Sequence, residues 1–226
     1  MITTTGTCNG HLDFMAVVRD FALALPDTDA WTLLAGKASG PLVQGDELVL
    51  QGPALNGQRP KFGMLPYTDA GVGYWNVGFV GLTGFNPAVT LLNQVNRSRT
   101  HATLLSTNPM RYRLIGTSRQ IKGWIRNGNI YEHFYAGFGL PQSFPEDYPY
   151  PMAVGACSSD PTMRTSETTS LHRAYWHPGR YTLSVCLPGG LWNDIANRYG
   201  SDSLDTTNYG VAPWHDYLGL SNERDA

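Results

Sequence analysis

Charge is scarce in this chain: Asp, Glu, Lys and Arg make up 15% of its 226 residues, against roughly 25% in an ordinary soluble domain. Cysteine is scarcer, and Cys8, Cys157 and Cys186 show no Cys-x-x-Cys spacing. An odd, scattered set signals neither a disulfide framework nor a zinc site, and free thiols made in a reducing cytoplasm are expected. No apolar run reaches the ~18 residues of a membrane span. The opening MITTTGTCNGH has no basic stretch followed by an apolar one, so no secretion signal is expected. Catalytic motifs are missing as well: there is no GxSxG, no HExxH and no phosphate-cradling GxxxxGK[ST].

The remaining titratable residues form weak constellations. His172 and His177 have no carboxylate or cysteine at ligand spacing. His11 and Asp13 lie near Cys8 without a second histidine in a recognisable context, and Glu146-Asp147 sits between prolines as a solvated loop would. The chain is therefore expected not to be an enzyme, with no catalytic residue, no cofactor and no metal.

What is present is glycine (25), proline (15) and 12% aromatics. They concentrate in Tyr131–Gly155, YEHFYAGFGLPQSFPEDYPYPMAVG, with Pro141, Pro145, Pro149 and Pro151 among Phe and Tyr. Proline fixes φ and pushes the preceding residue into extended geometry, so this reads as a strand entering a stiff ribbon. Phe144, Tyr148 and Tyr150 are its candidate contact surfaces.

The net charge of −2 conceals a segregation. From Ala70 to Tyr131 there is no acid, yet Arg97, Arg99, Arg111, Arg113, Arg119, Lys122 and Arg126 are there. Ser201–Ala226 has Asp202, Asp205, Asp216, Glu223 and Asp225 against Arg224 alone, with Trp214 as an aromatic anchor. Complementary patches of this kind fix register between partners. Copies pairing basic to acidic surface, a basic lining facing DNA, and two solvated faces of one monomer all fit. The interface candidates are Arg97, Arg99, Arg111, Arg113, Asp202, Asp205 and Trp214, beside the ribbon aromatics. Trp75, Trp124, Trp176 and Trp192 near predicted strands keep a sugar-binding face in play, with core packing the commoner use of such positions.

Local patterning predicts an amphipathic helix over Asn9–Leu25, with Phe14, Val17, Val18, Phe21 and Leu25 on one face and Pro26 as its stop. Asn9 or Asp13 is its candidate cap. Strands are predicted at Glu47–Gln51, Tyr74–Leu82, Tyr112–Gly116, Gln120–Ile125 and Asn129–Gly137. Asn127-Gly128 is the strongest hairpin signal. Pro87–Asn96 reads as a short helix, or as a loop turning Leu91, Leu92 and Val95 inward, and Ala174–Trp176 with Tyr181–Leu187 as a second hairpin. The fold class is α+β: an N-terminal amphipathic helix with a small sheet, then a mainly antiparallel β region. Residues 1–200 are expected to form a single compact domain with a sub-boundary near 86–110. Residues 201–226 form an acidic extension that docks or is partly disordered.

At Thr4–Thr7 (TTGT), the helix that follows, Tyr74–Phe85 (YWNVGFVGLTGF) and Tyr131–Ala156, the chain resembles a family of tailed-bacteriophage virion proteins. The likeness spreads over roughly residues 1–200 and is densest at Tyr131–Gly155. It implies a structural component of the virion, made in the host cytoplasm, with no catalytic residues to carry over. A neck, collar or tail-completion protein assembling as a multi-copy ring is the leading expectation. Its partners would be copies of itself, other virion proteins and nearby packaged DNA, with no membrane. The alternative is a baseplate or tail-fibre-associated module binding host-surface polysaccharide.

Overall fold

Turn chemistry organises the larger sheet. Gly128 takes φ +62°, left-handed backbone that glycine adopts without strain. The strands on either side pair without slippage from Asn127↔Ile130 to Gln120↔Gly137. The computed structural model describes residues 1–26, 28–55, 57–128, 130–139, 151–164, 181–186 and 189–196.

Within them the chain runs β1 (Ile2–Asn9), α1 (His11–Leu23), β2 (Thr32–Ala35), β3 (Leu48–Gln51), β4 (Lys61–Asp69) and β5 (Tyr74–Gly81). It continues through β6 (His101–Leu105), β7 (Pro109–Gly116), β8 (Gln120–Asn127), β9 (Ile130–Phe138), β10 (Met152–Ala156), β11 (Tyr181–Cys186) and β12 (Trp192–Ala196). The larger sheet has the order β1-β7-β8-β9-β10-β11-β12 and the smaller one β2-β3-β4-β5-β6. Neighbouring strands are antiparallel in both. The helix, the small sheet and the antiparallel region all match the sequence reading.

β1 does not. Ile2–Asn9 has no apolar alternation, yet it pairs with β7 over eight consecutive positions, Ile2↔Gly116 to Asn9↔Pro109. Threonines at 3, 4, 5 and 7 supply β-branched side chains that fit a pleated surface. The chain thus enters the larger sheet before the helix begins.

The helix starts after Gly10 (φ +91°) with no side-chain cap, and the Asp13 carboxylate accepts the Asn9 N–H at 2.7 Å. Phe14, Met15, Val18, Phe21 and Ala22 enter one core cluster with side chains of both sheets. At its centre the Phe79 and Phe134 rings stack at 4.4 Å and 10°. Phe14 meets Phe134 edge-on at 6.0 Å. Arg19 is also buried, because Asp20, the Lys37 carbonyl and the Gly40 carbonyl take its N–H groups.

The Pro87–Asn96 segment departs from expectation. Only Leu91–Asn93 forms a turn of 3-10 helix; Leu91 is buried, while Leu92 and Val95 are exposed. The Gln94 amide bonds Asn86 and Val89, and Glu47 accepts the Leu91 N–H, so the loop is knitted around a single inward apolar residue. For the second hairpin, Ala174–Trp176 lies outside the described residues; the described neighbours of β11 are β10 and β12.

The two sheets are sewn together along one seam. Ser158, just beyond β10, exchanges backbone hydrogen bonds with Ala102 of β6 at 2.7 and 3.0 Å. His101 Nε2 lies 2.7 Å from Ser184 Oγ, which donates to Asp194. The Trp192 indole lies over Gly81, where a Cβ would collide with it, and its N–H donates to the Asn96 carbonyl at 2.8 Å. No helix among the described residues is long and apolar enough to cross a membrane.

Because the Phe79–Phe134 stack is fully enclosed, Phe134→Ala should lower unfolding free energy by about 3–5 kcal/mol, measured by chemical denaturation. A loss under about 1 kcal/mol would show that the two sheets do not depend on this contact.

Candidate functional site: a basic sheet face

Side chains alternate across a strand, so core packing on one side decides what the other side presents. Met110 and Leu114 of β7, Ile121 and Ile125 of β8, and Phe134 and Ala136 of β9 face the core. The intervening residues therefore share the outer face. Register places Arg113 opposite Trp124 and Arg111 opposite Arg126. Arg126 in turn stands opposite Tyr131, and Thr5 and Thr7 of β1 stand beside Arg113 and Arg111.

Arg111, Arg113, Arg126, Thr3, Thr5 and Thr7 are exposed, Trp124 is half-buried, and Tyr131 is 60% exposed. Arg113 lies over the Trp124 ring at 5.9 Å and Arg126 over the Tyr131 ring at 5.7 Å. Arg126 also donates to the Gly128 carbonyl at 3.0 Å. Farther along the same face Ile115, Lys122, His133 and Tyr135 are buried, so the open part lies toward the Asn127-Gly128 turn. Burial lowers the Lys122 pKa. From β1 to β9, no described outward position is a carboxylate.

The expected interface residues do not gather in one place. Arg111 and Arg113 lie on this face. Arg97 is folded back onto the Leu92 and Ser98 carbonyls. Arg99 pairs with Asp194 at 3.0 Å, on the seam between the sheets. Phe144, Tyr148, Tyr150, Asp202, Asp205 and Trp214 lie outside the described residues, as do His172, His177, Glu146 and Asp147. Trp124, Arg126 and Tyr131 join the face without being among the expected interface residues. Counting back in steps of two from Gly128 reaches Arg126 and Trp124, which the register with β7 puts beside Arg111 and Arg113.

The thiol grouping around Cys8 does not assemble. Cys8 contacts the Met110 carbonyl, and burial, with Asp13 nearby, pushes its pKa up to about 12. His11 Nε2 instead lies 2.7 Å from Thr68 Oγ, and burial holds its pKa down at about 4. A second cluster is formed by Glu132, His133 and Cys157. Cys157 Sγ lies 3.4 Å from His133 Nδ1 and accepts the His133 backbone N–H at 3.0 Å. Burial raises the Cys157 pKa well above its ordinary value, with Glu132 adding to it. Since the thiolate is the reactive form, neither cysteine is poised as a nucleophile at neutral pH. Neither this cluster nor any other group of His, Cys, Asp and Glu among the described residues is placed to hold a metal ion.

A shallow groove of about 330 Å³ lies elsewhere, lined by Phe85, Asn86, Asn93 and Asn96 among others.

The buried cluster makes stability pH-dependent. Burial lifts Glu132 from 4.5 to about 8, so its contribution is complete below pH 4.5 and is lost as pH rises toward 8. His11 and His133 are held down from 6.5 to about 4, so theirs is complete above pH 6.5 and is lost on acidification. Each proton carries a slope of about 1.4 kcal/mol per pH unit. Among these described groups the two histidines outweigh the glutamate below pH 6.5, and above it Glu132 sets the slope. Stability should peak near pH 6.5, and Glu132→Gln should abolish the decline toward pH 8; denaturant titrations across this range check both.

No family model matches the chain, and no curated protein matches it.

Proposed function

We propose that this chain is a non-enzymatic structural subunit of a tailed-bacteriophage virion, a neck, collar or tail-completion protein that assembles as a multi-copy ring. The observation that carries the ring is β1. Among the described residues it stands at the end of the larger sheet, with eight uncharged, proline-free residues in unbroken register. Such an edge offers a row of backbone N–H and C=O groups to another strand, and single chains ordinarily blunt it with lysine, proline or a bulge. The opposite end of the same sheet, among the described residues, is β12. Pairing β1 of one copy with β12 of the next is a head-to-tail contact, which closes into a ring when the rotation permits. The low charge and the abundance of proline and tyrosine in the sequence Tyr131–Gly155 favour the same reading, because surfaces of about 800 Å² per partner need broad aromatic anchors.

A polysaccharide-binding module is the second reading. The groove favours it, because Phe85 lines it together with Asn86, Asn93 and Asn96. Loss of lipopolysaccharide binding in Phe85→Ala would select this alternative.

The ring reading is tested by native mass spectrometry with proline placed in turn at Thr4 and Thr5. On an edge strand one of two adjacent residues aims its N–H at β7 and the other aims it outward. The outward variant should keep its melting temperature and fall apart to monomer, while the inward variant should lose stability. Monomeric wild-type protein, or absence of the chain from purified virions, rules the reading out.

A further inference from the structure

We infer that the outer face of β1, β7, β8 and β9 is a binding surface for single-stranded nucleic acid. The inference goes beyond the ring, since it concerns the face of the sheet and not its edge.

The first ground is electrostatic. Arg111 and Arg126 stand directly opposite each other across β7 and β8, a like-charge pairing that disfavours a sheet. Arg113 is two residues along the same face from Arg111. Neither Arg111 nor Arg126 belongs to the ion pairs between described residues, Arg19–Asp20, Lys37–Asp46 and Arg99–Asp194. A polyanion laid across these strands would turn a repulsive arrangement into an attractive one.

The second ground separates nucleic acid from an acidic protein. Trp124 and Tyr131 are diagonal neighbours on β8 and β9, because Trp124 pairs with His133 and Arg126 with Tyr131. Diagonal positions lie about 7–8 Å apart, which sets two rings side by side as platforms for successive unstacked bases. Each ring already has a guanidinium over it, at 5.9 and 5.7 Å, and arginine planes also stack on bases. Along the rim, the exposed hydroxyls of Thr3, Thr5 and Thr7 can donate to phosphate oxygens. An acidic peptide would use the arginines alone and leave the rings idle.

The test is fluorescence anisotropy of the full chain with a labelled oligothymidylate about twenty nucleotides long, read between about 50 and 200 mM salt. Binding should weaken as salt rises. Arg111→Gln and Arg126→Gln should each weaken it about tenfold and reduce the salt slope by about 0.7. Tyr131→Ala and Trp124→Ala should cost about tenfold each with the slope unchanged. Tyr131 is mostly exposed, so its variant is the one least exposed to folding defects. The inference is overturned if the oligonucleotide fails to bind at the lowest salt. An unchanged slope in both arginine variants overturns it too, as does equal affinity for a duplex of the same length. So does a peptide of residues 201–226 binding this face where the oligonucleotide does not. A monomer that binds would remove the ring and keep this surface; a ring that ignores the oligonucleotide would do the reverse.

Discussion

The stack of Phe79 on Phe134 is the contact on which the rest depends. One ring belongs to the smaller sheet and the other to the larger, and α1 closes over them through Phe14. Once Phe134 faces inward, strand parity leaves no freedom in the meander β7–β8–β9. Ile125, Gly123 and Leu114 must face the core, and Arg113, Trp124, Arg126 and Tyr131 must face away. A one-residue slip would bury arginines against phenylalanine. The basic face is therefore the other side of the core, held in place by the same packing.

Charge inside the molecule follows a different rule from charge on that face. Arg19 is buried and satisfied by carbonyls and Asp20. Glu132 is buried where burial keeps it protonated, beside the Cys157 thiol and the Leu104 amide. Arg99 and Asp194 pair across the seam. Arg19 and Arg99 are matched to internal partners, whereas Glu132 keeps one buried carboxylate oxygen without a hydrogen bond. On the outer face Arg111 stands opposite Arg126, and Arg126 lies over the Tyr131 ring, an arrangement suited to an anion brought from outside.

The larger sheet also separates two kinds of contact geometrically. Its edge offers backbone hydrogen bonds in the plane of the sheet, and its face offers side chains perpendicular to that plane. A ring formed through the edges would leave the basic faces of all copies in register around one surface. Under the proposed assembly, the face would meet a strand passing the ring without interrupting the contacts that hold it.

Much of the local structure is legible in the sequence. The helix, the strands at Leu48–Gln51 and Tyr74–Gly81, and the β8–β9 hairpin follow from short-range signals: periodicity, Gly52-Pro53 and Asn127-Gly128. The acid-free composition of Ala70–Tyr131 is equally plain. β1 escaped because threonine signals a strand without signalling a face. The division of the arginines escaped because it is not local: Arg97 and Arg99 differ from Arg111 and Arg113 only in which strands and loops come to lie beside them. Sequence by itself determined the helix, some of the strands and the sign of the charge, since propensity, turn chemistry and composition act within a few residues; β1, β4, β6, β10 and β12 needed their pairing partners. Only the tertiary structure decided which charges share a surface, because that depends on long-range pairing and on which side of each strand the core claims.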